Sequence, residues 1–349
     1  MKCLVTGATG FTGRHLALAL RRAGHEVRAL VRPGSARDDL AGAGIEVHEG
    51  QLVRSDDVMA AARCCDQIYH IAAVFRTAGH PDSHYRDVNV GGTVNVLEAG
   101  RKHGCERVIY CSTGGVHGHV EDPPADENYR LKPDDIYQVS KVEAEAAANA
   151  AIARGQPVVI FRPGAIYGEG DLRFLKLFRS VQKRRFVMIG AGTTRLHMVH
   201  VDDLVAGIEL CGSRPQALGQ TFLLAGPEAP TLNEIVATTA DIVGVPRPRL
   251  HIPVWPVYTA GWLCEVACVP FGIDPPLHRR RVGFFTHNRH FDIGKAVRML
   301  GYAPAVDTRH GIERTVRWYA SQGYMAPLPA QVPDGVPVNA AEQHGPTKR

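Results

Sequence analysis

Residues 3–20 constrain the chain more than any other stretch, because an apolar run, a glycine-rich turn and a helix-forming run follow one another without a break. Cys3-Leu4-Val5 reads as a buried strand, and Gly13-Arg14-His15-Leu16-Ala17-Leu18-Ala19-Leu20 reads as a helix. Between and overlapping them lies Thr6-Gly7-Ala8-Thr9-Gly10-Phe11-Thr12-Gly13. In a strand–turn–helix of this kind the first glycine permits the tight turn. The second lets backbone approach a pyrophosphate, and the third lets the helix pack on the strand. The helix start adds unpaired N–H donors and the positive end of its dipole. A dinucleotide cradle is therefore expected at Gly7, Thr9, Gly10, Phe11, Thr12 and Gly13.

The first half of the chain repeats this alternation. Strands are expected at 27–31, 45–48, 67–73, 107–112 and 158–161, and helices at 55–63, 89–103 and 136–154. Short apolar runs alternating with helices specify an α/β fold: a Rossmann-type, doubly wound parallel sheet with crossovers of one hand. Beyond residue 167 the pattern loosens, and prolines crowd between 226 and 276. The organisation expected is a dinucleotide-binding unit over 1–167 and a smaller C-terminal substrate lobe over 168–326, with segments returning to the sheet. A polar, Pro-rich, disordered tail is expected over 327–349.

Composition excludes several classes. A net charge of +5 with no lysine-rich block gives nucleic acid no footprint, while mildly favouring anionic ligands. The cysteines (3, 64, 65, 105, 111, 211, 264, 268) show neither a CxxC nor finger spacing, and no signal peptide precedes them, so reduced thiols in the cytoplasm are expected. The pairs His117/His119 and His197/His200 are read as no metal site. No run is long and clean enough to span a membrane. The nearest, 252–273, is broken by Pro253, Pro256, Glu265 and Pro270; it reads as a buried helix between proline turns, with peripheral lipid contact or a cap over an apolar pocket as alternatives.

The chemistry sits at Tyr137-Gln138-Val139-Ser140-Lys141, which places a phenol and an ammonium at i and i+4 on one helix face. Ser112-Thr113 ends the strand before it, at the sheet edge where ligands of such folds bind. A phenol titrating near 10 needs a shift of about three units, roughly 4 kcal/mol, to serve as base near neutrality. One cation about 4 Å away supplies around 4 kcal/mol at an effective dielectric near 20. Tyr137 and Lys141 are thus candidate acid/base and activator, with Thr113 or Ser112 holding the reacting oxygen.

At this point the chain resembles an extended short-chain dehydrogenase/reductase of the NAD-dependent epimerase/dehydratase type. The resemblance rests on TGATGFTG (6–13), HIAA (70–73), NVGGTVNVLEAG (89–100), YCSTGGVHG (110–118), YQVSK (137–141), RPGAIYG (162–168) and HVDDLV (200–205). It implies Thr113 as the catalytic hydroxyl and Tyr137 as acid/base, with Lys141 on the nicotinamide ribose. It further implies Leu52, Ala72, Ala73, Asn89, Pro163 and Ile166 around the cofactor, and a homodimer paired through helices 89–103 and 136–154. Asp202 and Asp203 are read as helix caps.

Arg32 ends the second strand where an acidic residue would hold a ribose 2′-hydroxyl. With Ser35 and Arg37 it suits a 2′-phosphate, so NADP is favoured over NAD. For the substrate two readings stand. The 275–304 region and the apolar 252–273 segment are similar to the 3β-hydroxysteroid dehydrogenase and sterol-decarboxylating branch, implying an apolar, sterol-like alcohol or ketone. Gly190 to Arg195 instead resembles the loop of nucleotide-sugar epimerases and dehydratases, where Arg195 with Arg279, Arg280 and Arg281 would clamp a diphosphate beside tightly bound NAD. His117 takes the place of a tyrosine common in sugar epimerases and is a candidate substrate residue. Flavonoid-type ketone reduction and a non-catalytic dinucleotide sensor complete the alternatives.

Overall fold

Apolar residues alternate across the strands so that both faces of the sheet need cover. In β1 (Lys2–Thr6) Cys3 and Val5 face one core, while Leu4 faces the other. The computed structural model describes residues 1–75, 80–268 and 279–329. The remaining strands are β2 (Glu26–Val31), β3 (Glu46–Glu49), β4 (Gln67–His70), β5 (Arg107–Cys111), β6 (Val158–Pro163), β7 (Ala165–Tyr167), β8 (Met188–Ile189), β9 (Met198–His200), β10 (Thr221–Leu224) and β11 (His251–Ile252). Six of these join β1 in one seven-stranded sheet of order β10-β6-β5-β4-β1-β2-β3, every pair parallel. The order reverses between β1 and β4, which opens a crevice at the C-terminal ends of those strands.

Helix Phe11–Arg22 covers the Cys3 face with Leu16, Ala17 and Leu20, joined by Leu204 and Ile208 from helix Val201–Ser213. The other face is covered by helices Ser55–Ala62, Gly92–Lys102 and Ile136–Ala153, the last through Ala144, Ala148 and Ala151. The helix expected from Asn89 begins differently: a π-helical turn, Arg86–Gly91, runs into it and carries Asn89. Such turns re-aim side chains and are frequent at functional sites.

Strand β10, from beyond residue 167, completes the sheet beside β6. The rest of this later segment builds a third core from Phe174, Phe178, Leu232, Ile235, Ile312 and Val316, with the two-stranded pairs β7–β9 and β8–β11 at its edge. The helix Val201–Ser213 is capped by His200, whose Nδ1 accepts from the Asp202 N–H at 3.3 Å. The two aspartates read as caps do other work. Asp203 accepts from the Ala305 and Val306 amides at 3.0 and 2.9 Å, and Asp202 pairs with Arg314 at 2.7 Å.

The buried helix expected over 252–273 is instead Val254–Cys268, with one side open, because no other described element packs against its outer stripe; residues 269–273 lie outside the described residues. Among the described residues no helix is long and apolar enough to cross a membrane. The eight cysteines are free thiols. From residue 330 the tail expected over 327–349 also lies outside the described residues.

Candidate active site

The glycine-rich turn closes so tightly that side chains are excluded from it. Gly7 has φ +76°, and a Cβ there would sit 2.7 Å from the Ala72 nitrogen. A Cβ on Gly13 would lie 2.2 Å from the Gly7 oxygen. The turn and the helix N-terminus therefore leave a bare backbone cradle that fits a pyrophosphate.

This cradle floors a cleft of about 3070 Å³. Ligand pockets commonly run about 300–1,000 Å³, so cofactor and substrate have room together. Gly7, Thr9, Gly10, Phe11, Thr12, Gly13, Arg32, Leu52, Ala72, Ala73, Pro163 and Ile166 line the cleft, as do Ser112, Thr113, Tyr137 and Lys141. The sequence positions 6–13, 112–113 and 137–141 thus converge on one space.

Asp135 starts the helix Ile136–Ala153 by accepting from the Gln138 amide at 2.9 Å. One turn apart, Tyr137 and Lys141 both look into the cleft. Tyr137 is nearly buried and meets Phe75 edge-on, with ring centroids 4.9 Å apart. The Lys141 ammonium donates to the Cys111 carbonyl oxygen at 2.5 Å and sits 4.6 Å from the centroid of the Tyr110 ring. Burial pulls its pKa below the ordinary lysine range. Thr113 Oγ1 accepts from the Gly115 amide at 3.1 Å, capping the turn Gly114–His117 at the end of β5. Ser112 Oγ, its neighbour, is buried without a hydrogen-bond partner among the described residues.

A chain of hydrogen bonds ties the cradle to the helix that carries Tyr137 and Lys141. Thr6 Oγ1 accepts from the Ala72 amide at 3.2 Å and lies 2.8 Å from His70 Nδ1. His70 Nε2 is 3.0 Å from Thr93 Oγ1, whose own hydrogen goes to the Asn89 oxygen at 2.6 Å. Nε2 must therefore donate and Nδ1 accept, which is the neutral ring; burial holds its pKa down at about 3. Asn89 then bonds both ways with Val74, at 2.8 and 3.1 Å, and donates to Ser140 Oγ at 2.9 Å. Ser140 in turn donates to the Tyr137 carbonyl oxygen at 2.8 Å. Asn89, expected at the cofactor, is thus buried behind the cleft wall and fixes the 74 loop. Among the residues not anticipated, His70 lay inside the quoted HIAA motif, but its two threonine partners come from distant strand and helix positions.

Three anticipated side chains are engaged elsewhere. His117 is wholly buried, 3.2 Å from the Arg130 oxygen and 3.3 Å from Arg162, which forms a buried ion pair with Glu145 at 2.6 Å. Burial, with the Arg162 charge, keeps its ring below the ordinary histidine range. Arg195 donates to the Ala229 oxygen at 2.6 Å and does not line the cleft, although Leu196 does. Arg37 is held by Glu49, so of Arg32, Ser35 and Arg37 only Arg32 reaches the cleft wall. The side chains of Arg279, Arg280 and Arg281 are not among those described.

The profile of the NAD dependent epimerase/dehydratase family matches residues 3–225. A putative dihydroflavonol 4-reductase of Synechocystis sp. is 30% identical over 92% of this chain and 95% of its own length. A 3 beta-hydroxysteroid dehydrogenase/Delta 5-->4-isomerase of Mycobacterium tuberculosis is 31% identical over 92% of this chain and 90% of its own. The crystal structure of DesIV, a dTDP-glucose 4,6-dehydratase from Streptomyces venezuelae with NAD and TYD bound, superposes with a TM-score of 0.73 at 26% identity, covering 94% of this chain and all of that one. With the cradle and the Tyr137–Lys141 pair in one cleft, the chain belongs to the NAD-dependent epimerase/dehydratase family and is an enzyme of the extended short-chain dehydrogenase/reductase type.

Proposed function

We propose that the chain interconverts an alcohol and a ketone on an apolar, sterol-like substrate, with NADP(H) preferred to NAD(H). The observation that carries this reading is the wall beyond Tyr137. Phe174, Leu177, Phe186, Val257, Phe284 and Phe285 line it, from three separate segments. Such a wall gains about 25 cal/mol for each Å² of apolar substrate withdrawn from water and offers a sugar few partners. The activity named for the mycobacterial relative agrees with it.

The Gly7–Gly13 cradle would hold the pyrophosphate and Lys141 the ribose next to the nicotinamide. Arg32, exposed at the end of β2 with no ion-pair partner among the described residues, would meet a 2′-phosphate. The bound nicotinamide supplies the acceptor or donor of hydride. In the oxidative direction Tyr137 takes the proton of the substrate hydroxyl through its phenolate, and in the reductive direction it returns one. Lys141 is held by Cys111 and Tyr110 with donors to spare, so its charge stays beside Tyr137 and favours the phenolate. Thr113 stands in the cleft to hold the reacting oxygen, whereas Ser112 is the more buried of the two. The same reading includes a homodimer paired through helices Gly92–Lys102 and Ile136–Ala153, in a reducing compartment such as the cytoplasm.

A nucleotide-sugar substrate remains the second reading, because Arg173, Arg185 and Arg289 line the cleft and cations suit a diphosphate. A panel of hydroxysteroids and nucleotide sugars, each with NADP and NAD, separates the two through absorbance of the reduced nicotinamide. Turnover of a sterol alcohol by protein purified free of cofactor is expected. Turnover of a nucleotide sugar alone, by protein that retains NAD, would overturn the proposal.

A further inference from the structure

Among the described residues no element packs on the outer stripe of helix Val254–Cys268. In Val254–Cys268 the residues Val254, Val257, Tyr258 and Glu265 line the cleft, at the three- and four-residue spacing of one helical face. The opposite face carries Trp255, Trp262, Leu263 and Val266, which are 46–72% exposed. A helix apolar around its whole circumference lies in a core or against an apolar medium, and among the described residues this one has protein on one side only. Contiguous exposed apolar surface of this kind marks an interaction site.

The border of the patch narrows what it meets. β11 leads into the helix and pairs with β8, and the Met188 amide donates to the Leu250 oxygen at 3.0 Å, so the segments entering both strands run side by side. They carry Lys183, Arg184, Arg185 and Arg249, all exposed and none with an acidic partner among the described residues, next to Leu250, which is 59% exposed. Two copies packed face to face here would bring two cationic rims together. A layer of anionic headgroups accepts both parts of the patch: indole and phenol rings settle at headgroup depth, and the cations are drawn to the surface charge. Fifteen residues are too few to cross a bilayer, so the helix would lie in its plane.

We propose that helix Val254–Cys268, with Lys183, Arg184 and Arg249, docks the enzyme onto an anionic membrane surface, with the cleft directly behind the lipid-facing helix. The inference does not depend on which alcohol the cleft takes. It is tested by flotation of the full chain with vesicles of phosphatidylcholine, alone or equimolar with phosphatidylglycerol. Flotation with the anionic vesicles, weakened by salt, is expected. The Trp255→Ser/Trp262→Ser variant should partition about tenfold less or weaker. A Lys183→Gln/Arg184→Gln/Arg249→Gln variant should lose the preference for anionic vesicles, and both should still bind NADPH. Headgroup-brominated lipid should quench the wild-type indole fluorescence, a measurement that needs no variant. Wild-type chain that ignores both vesicles, an aromatic variant that floats as the wild type does, or absence of quenching overturns the proposal. So does a wild-type dimer that the aromatic variant abolishes while neither floats.

Discussion

The two halves of the cleft are built on different principles. On the side proposed for the cofactor the wall is mostly backbone: a Cβ on Gly7 or Gly13 would come within 3 Å of neighbouring backbone, so no side chain fits there, and Thr6, His70, Thr93 and Asn89 brace it from behind. On the side proposed for the substrate the wall is side chains, contributed by segments around 174–186, 254–258 and 284–291 that meet only in the folded chain. Backbone geometry tolerates almost no change and commits the protein to one cofactor class. A wall of apolar side chains tolerates exchange, which is how related chains of one family can turn over such different molecules.

The largest effect should come from the point where the halves meet. Tyr137→Phe is expected to lower kcat by about 10²–10⁴ while leaving the cofactor dissociation constant within about threefold. Phe284→Ala, on the substrate wall, should instead raise KM several-fold with cofactor affinity unmoved. Steady-state kinetics beside a fluorescence titration of reduced cofactor separates these outcomes. If Tyr137→Phe weakened cofactor binding as much as turnover, the phenol would belong to the cofactor side, and the division drawn here would fail.

That division also explains what the sequence could reveal. The alternation of Cys3, Leu4 and Val5 across two cores, the glycines at 7 and 13, and the i, i+4 spacing of Tyr137 and Lys141 are local patterns that one stretch of chain contains in full. The positions that went elsewhere were decided by distant partners. His117 is sequestered by Arg162 and Glu145, Arg195 is taken by the Ala229 carbonyl, and Arg37 by Glu49. The helix Val254–Cys268 shows a further limit: apolar on every side, it gives no periodicity from which to read which side is covered.

A second prediction sharpens the cofactor half. Arg32→Glu should reverse the preference between NADP(H) and NAD(H), with NADP(H) affinity falling about 10–100-fold, since a guanidinium–phosphate contact is exchanged for like-charge repulsion. NAD(H) affinity should change little, because the cradle proposed for the pyrophosphate lies elsewhere in the cleft. Equilibrium titration of both reduced cofactors checks this. An unchanged ratio would remove Arg32 from cofactor selection.

The smallest effect distinguishes the halves by acid. On the cofactor side burial holds His70 at about 3, below the ordinary 6.5 of histidine. The unfolded chain therefore binds this proton first, and stability is lost as pH falls through the window from about 6.5 to 3. Beside the later segment Glu169 is also depressed. Burial acts to raise it, and hydrogen bonds from His200 and Arg314 outweigh that, bringing it from 4.5 to about 2. Its contribution is present above pH 4.5 and lost between there and about 2. Glu169→Gln should then flatten the lower part of the acid limb, with roughly 1–2 kcal/mol less stability at neutral pH once solvent screening is allowed for. The fall beginning near pH 6.5 should persist, since His70 with its partners Thr6 and Thr93, and His197, which burial brings down to about 4, are untouched. Thermal unfolding of both proteins across pH 2–7 measures the two windows, and a variant whose upper limb also flattened would show that the two titrations are coupled.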